Sequence, residues 1–125
     1  MGGTVAGRPL SGPSCFNRGM AVVLDSDAIL AAVDAEAAVE RTREAFVRHY
    51  EGDWRMPPKL YLDAPPDGDF RAMPAAGGGL AILKWVTSFP SNPSRGLPVV
   101  TGALLVSSAE TGELLAVLDT AAVTS

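Results

Sequence analysis

Three basic residues carry the chemistry this chain can do: Lys59 in PKLYLD, Arg71 in DFRAMPA and Lys84 in LKWVTSFPSNPSRGLP. Lys84 interrupts an apolar run in which Leu80, Ile82, Lys84 and Val86 share one face of a strand, while Ala81, Leu83, Trp85 and Phe89 share the other. With both faces apolar, the pattern predicts a strand covered on two sides. A lysine placed there either runs its stem to an edge or brings its ammonium to an anion, and the pattern alone leaves both open. Lys59, which alternation puts on one face with Tyr61, and Arg71, taken singly, read as the solvated faces of short alternating strands. Taken with Lys84 they say more, because adjacent strands can bring three cations to one pocket. Such a pocket suits a carboxylate, which an arginine grips through two parallel hydrogen bonds.

Other reactive side chains add little. Met73 shares the predicted face of Arg71 and reads as core before it reads as a substrate contact. Asn92 in NPSRG reads as a turn former, and Asp63, Asp67, Asp69 and Glu110 stand at turns, where acidic residues serve the backbone. His49 lies at a helix end among charged residues and reads as surface rather than as a general base. No catalytic acid–base pair can be assembled, so the catalytic residues stay unassigned. The residues by themselves describe a small-anion-binding α+β domain.

Composition narrows the class. The chain has 125 residues, 47% hydrophobic and 19% charged, as expected of one globular domain. Such a length can bury roughly two-thirds of its extended surface. Ten basic against fourteen acidic residues give a net charge of −4 with no basic cluster, which argues against a nucleic-acid partner. Cys15 and His49 are the only cysteine and histidine, so neither a disulfide framework nor a protein-built metal site is expected. No apolar run approaches the roughly 18 residues that span a bilayer, and no signal peptide is indicated. A cytoplasmic protein without a membrane partner is the expectation.

The elements that must position the cations follow from periodicity. Residues 1–19 read as a flexible extension and 20–125 as the folded part. Ala21–Leu24 is a short β-like run, and Asp25 or Ser26 begins a helix to about Val33. Asp34 caps a longer helix to about Glu51, ended by Gly52, with Val39, Thr42, Phe46 and Tyr50 forming one buried stripe and Glu44 and Arg48 an i,i+4 pair. About five strands come next: 58–63, 69–75, 80–89, 99–108 and 114–118, in a mostly antiparallel or mixed sheet. Gly77–Gly79 joins two strands and lacks the G-x-G-x-x-G spacing of a dinucleotide site. Asp119 or Thr120 caps a further helix.

Four segments, MPPKLYLD (56–63), DFRAMPA (69–75), LKWVTSFPSNPSRGLP (83–98) and ETGELLAVLDTAAVTS (110–125), resemble the N-terminal half of the ornithine cyclodeaminase/mu-crystallin family. The wording is particularly similar to its archaeal-type alanine dehydrogenases. The resemblance implies the substrate-binding and dimerisation part of a homodimeric, NAD- or NADP-dependent enzyme acting on an L-amino acid or imino acid, with the family's Rossmann domain absent from this chain. It implies that Lys59, Arg71 and Lys84 face the substrate, and Met73, which the strand pattern puts on the face of Arg71, joins them as a candidate contact. It also implies an N-terminal fragment, truncated before the family's next arginine motif and expected to bind no cofactor strongly alone. The alternatives are a non-catalytic binding or dimerisation module like mu-crystallin, or an inactive gene fragment.

Overall fold

Alternating apolar residues, broken by proline- and glycine-rich turns, lay down a meander of strands behind two N-terminal helices. The computed structural model describes residues 21–124; the stretch 1–19 with Cys15, read above as an extension, and Ser125 lie outside the described residues. In chain order the elements are β1 (Val22–Leu24), α1 (Ser26–Ala32), α2 (Ala35–Glu51), β2 (Leu60–Ala64), β3 (Gly68–Gly77), β4 (Leu80–Ser88), a 3-10 turn (Asn92–Arg95), β5 (Val100–Ser108), β6 (Leu114–Asp119) and α3 (Thr120–Val123). The class is α+β, as the sequence predicts.

The strands form one mixed sheet in the order β1-β6-β5-β4-β3-β2. Consecutive strands from β2 to β6 pair antiparallel, and β1 adds to the far edge parallel to β6, with Val23 opposite Val117. This makes six strands rather than about five. The run read as β-like at Ala21–Leu24 is the sixth, completed by partners far along the chain, Val117 standing 94 positions from Val23.

One face of the sheet is partly covered. Helices α1 and α3 pack on each other and on β6, and α3 also packs on β5. Beneath them Val86 and Leu104 are 7% and 8% exposed and Thr120 is buried. Gly102 permits that approach: a Cβ there would stand 3.1 Å from Thr120 Oγ1 and 2.2 Å from the Trp85 carbonyl oxygen. Asp119 locks the corner, accepting from the Ala121 N–H that begins α3 and from the Ser26 hydroxyl at the start of α1, both at 2.9 Å. Those bonds hold the Asp119 carboxyl below the usual carboxylate range, the Ala121 N–H contributing most.

The opposite face corrects the expectation of a strand covered on two sides. Phe70 stacks on Trp85 with ring centroids 5.5 Å apart and meets Phe89 edge-on at the same distance, yet Trp85, Leu62 and Leu105 stay exposed. Both faces of β4 are apolar, but this chain's helices cover only one.

Helix α2 gives the second correction. Its ends follow the sequence reading: Asp34 accepts from Ala37 N–H at 2.7 Å, worth about 1 kcal/mol, and Gly52 closes the helix at φ 85°. Its apolar stripe is not buried, however; Val39, Phe46 and Tyr50 are 64%, 74% and 92% exposed. The helix is anchored through the segment that follows it, where Arg55 bridges Ala76 and Trp54 fills the space a side chain on Gly77 would need. Glu44 also pairs with Arg41 at 2.8 Å rather than with Arg48, which reaches past the helix end to Asp53 at 3.0 Å. Among the described residues no helix is long and apolar enough to cross a membrane.

Candidate functional site

Strand register fixes where the predicted cations stand. Arg71 lies between Tyr61 on β2 and Val86 on β4, and Met73 lies opposite Lys84, which faces Leu104 on its other side. Because side chains alternate across a strand, Tyr61, Arg71, Met73, Lys84, Val86 and Leu104 share one face. It is the face that α3 covers in part. Lys59, one residue before β2, stands on the same side, its Nζ 5.2 Å from the centre of the Tyr61 ring. All four predicted site residues are therefore on one face, in two adjacent rows.

They are not equivalent. Arg71 Cζ lies 5.4 Å from the Tyr61 ring centre, so the ring meets one cation from its own row and one from the next. Arg71 is also paired along its own strand: Nε donates to Asp69 Oδ1 at 2.6 Å and Nη2 to Asp69 Oδ2 at 3.0 Å. Those hydrogen bonds lower the Asp69 carboxyl from its ordinary value and raise the Arg71 guanidinium, which stays charged at every ordinary pH. Lys84 and Lys59 have no ion-pair partner among the described residues. Lys84 is half-buried in the central part of the sheet, beside the part that α1 and α3 cover. A half-buried lysine without an anion is in a position to bind one.

Sequence reasoning passed over two members of this group. Asp69 read as a turn residue, and Tyr61 only as the partner of Lys59 in alternation. The signal for Asp69 was available: acidic and basic residues two apart in a strand lie on one face, as in DFR.

The cavities lie to either side of the cations rather than on them. Beyond the Met73–Lys84 row come Ala75 and Ile82, which wall an open apolar cleft of about 670 Å³ beneath Phe46 and Thr42 of α2. Of the α2 stripe, Thr42 and Phe46 face this cleft. At the other end, past Arg71, a shallow groove of about 330 Å³ lies against the Pro65–Pro66 turn, with Asp63, Asp67 and Asp69 around it. No acidic cluster there has the arrangement of a metal site among the described residues. His49 lines the apolar cleft, and its Nδ1 lies 3.2 Å from the Trp54 carbonyl oxygen, a structural contact at the end of α2. Asn92 donates to the Pro98 carbonyl at 3.0 Å, in keeping with its reading as a turn former.

The usual cradle of a nicotinamide nucleotide is a glycine-rich turn that opens a helix; Gly77–Gly79 is not such a turn, since it sits in the β3–β4 hairpin with strands on both sides.

Residues 20–125 match the model of the ornithine cyclodeaminase/mu-crystallin family. The chain belongs to this family. Among curated relatives, it is 41% identical over 104 residues to an alanine dehydrogenase of Archaeoglobus fulgidus, covering 83% of this chain and 32% of that one. It is 31% identical over 102 residues to Δ1-pyrroline-2-carboxylate reductase 1 of Burkholderia multivorans, covering 82% of this chain and 33% of the relative. Its fold superposes on a solved archaeal alanine dehydrogenase dimer with bound NAD, with a TM-score of 0.80 and 40% identity, over 83% of this chain and 32% of that one. The chain thus spans about a third of the length of these relatives of the ornithine cyclodeaminase/mu-crystallin family.

Proposed function

We propose that this chain is the N-terminal substrate-binding part of an NAD(P)-dependent enzyme that processes an L-amino acid or the corresponding imino acid. The observation that carries the reading is Lys84, a half-buried lysine without an ion-pair partner among the described residues, on the same face as Lys59 and Arg71. A carboxylate is the ligand that satisfies it. Holding the carboxylate fixes the orientation of the substrate's Cα–H, a positioning contribution to its loss as hydride. The surrounding positive charge also favours the neutral over the protonated amine, which hydride loss requires. The nicotinamide nucleotide, when bound by the rest of the longer protein, would accept that hydride. Water adding to the resulting imine gives a keto acid and ammonia and completes a dehydrogenase, whereas a side-chain amine adding to it closes a ring, expels ammonia and takes the hydride back, completing a cyclodeaminase.

The test is an assay of the product of the whole reading frame with NAD and L-alanine or L-ornithine. NADH accumulation with alanine supports a dehydrogenase, and proline formed from ornithine without net NADH supports a cyclodeaminase. Inactivity toward every amino and imino acid refutes the reading. For the 125-residue chain alone, saturable binding of NADH is not expected.

The same reading makes the chain half of a homodimer. Its uncovered sheet face, with Trp85 and Phe70 stacked and Leu60 and Leu62 66% and 57% exposed, is the apolar surface a second copy would cover, and the solved relative described above is a dimer. Sedimentation velocity should show a dimer that Trp85→Glu dissociates. A wild-type chain that stays monomeric at high concentration contradicts this pairing.

A further inference from the structure

The Asp69–Arg71 pair does more than neutralise charge. A guanidinium offers two edges that can grip a carboxylate: a side-on edge made by Nε and one terminal nitrogen, and an end-on edge made by the two terminal nitrogens. Asp69 occupies the side-on edge with both oxygens, at 2.6 Å and 3.0 Å. Tyr61, the cross-strand neighbour of Arg71, brings its ring to 5.4 Å from the guanidinium carbon. Arg71 is held by one edge and against one ring, and the end-on edge remains. No other ion pair to Arg71 is present among the described residues.

The geometry points to Asp69 as a positioning residue: with Tyr61 it fixes Arg71 on the strand so that the end-on edge stands ready for the substrate's carboxylate. This rests on the reading of the face as a carboxylate site. The physical gain is preorganisation. An untethered arginine loses its rotamer freedom when it binds, whereas this one has lost it beforehand. The opposing effect is the negative charge of Asp69 itself, which weakens the pull of the face on any anion.

The two effects separate with two ligands. A monatomic anion, chloride, responds to charge alone, whereas planar pyruvate responds to both charge and alignment. The experiment titrates the wild-type chain and Asp69→Asn with each, following amide shifts by NMR. Asp69→Asn is expected to weaken pyruvate by about 10-fold and to leave chloride unchanged or tighter, while Asp69→Glu restores pyruvate binding. A role in folding alone would not move the two ligands in opposite directions. Pyruvate binding by Asp69→Asn as tight as wild type overturns the proposal and leaves the carboxylate site standing. Absence of pyruvate binding by the wild-type chain overturns both. If Asp69→Asn fails to fold, Tyr61→Leu decides, with weaker pyruvate binding expected and unchanged binding refuting.

Discussion

Lys84→Met is expected to weaken pyruvate or L-alanine binding by about 30-fold, equivalent to about 2 kcal/mol, the range for a hydrogen bond to a charged group. The ammonium of Lys84 has no ion-pair partner to lose among the described residues, and methionine keeps most of the stem's volume. Half-buried between Met73 and Leu104, the charge costs desolvation while the ligand is absent. Removing it should therefore leave the melting temperature unchanged or raise it. Lost affinity with retained or increased stability is the signature of a group kept for binding. Titration of the variant beside wild type, with thermal melts of both, checks it. Affinity within about twofold of wild type would remove Lys84 from the site.

Gly102→Ala is expected to be the most disruptive single change to the scaffold. A Cβ at that position meets the Trp85 carbonyl oxygen at 2.2 Å and Val86 Cα at 3.0 Å, both main-chain atoms of the paired strand β4, with Thr120 Oγ1 at 3.1 Å above. Backbone cannot swing aside as a flexible side chain does, so β4 and β5 must separate or α3 must lift. The cost is about 3 kcal/mol or more, in a chain whose strongly buried residues among those described are Val86, Leu104 and Thr120. Such a core has little reserve, and loss of the cooperative melting transition is the expected result. Gly112→Ala is the control. Gly112 has φ 75° but nothing within 4 Å of a Cβ, so the change should cost only about 1 kcal/mol. Equal melting curves for the two variants would show that the close approach at Gly102 is not structural.

Much of this arrangement was legible in the sequence because it is local. The alternation in LAILKWV sets which side chains share a face, and cap residues such as Asp34 and Gly52 fix the ends of α2 without reference to anything distant. What the sequence leaves open lies across space. The β-like run at Val22–Leu24 finds its partner only in β6. The α2 stripe reads as buried because periodicity reports that a face is apolar, not that the chain supplies something to cover it. The same applies to the Phe70–Trp85–Phe89 face. At the site, alternation places Arg71 with Met73 and Lys59 with Tyr61, yet only strand register sets the two pairs beside each other. Asp69 was missed for a different reason: its position next to a turn gave a sufficient local account of an acidic residue, and its grip on Arg71 was left unsought.

The most direct measurement is an amide-shift titration of the 125-residue chain with pyruvate. The account predicts saturable shifts centred on Tyr61, Arg71, Met73 and Lys84, moved to about 30-fold higher pyruvate in Lys84→Met, with the uncovered Trp85 face unaffected. Saturable shifts confined to the Pro65–Pro66 groove or to the α2 cleft, or no saturation at all, would contradict it.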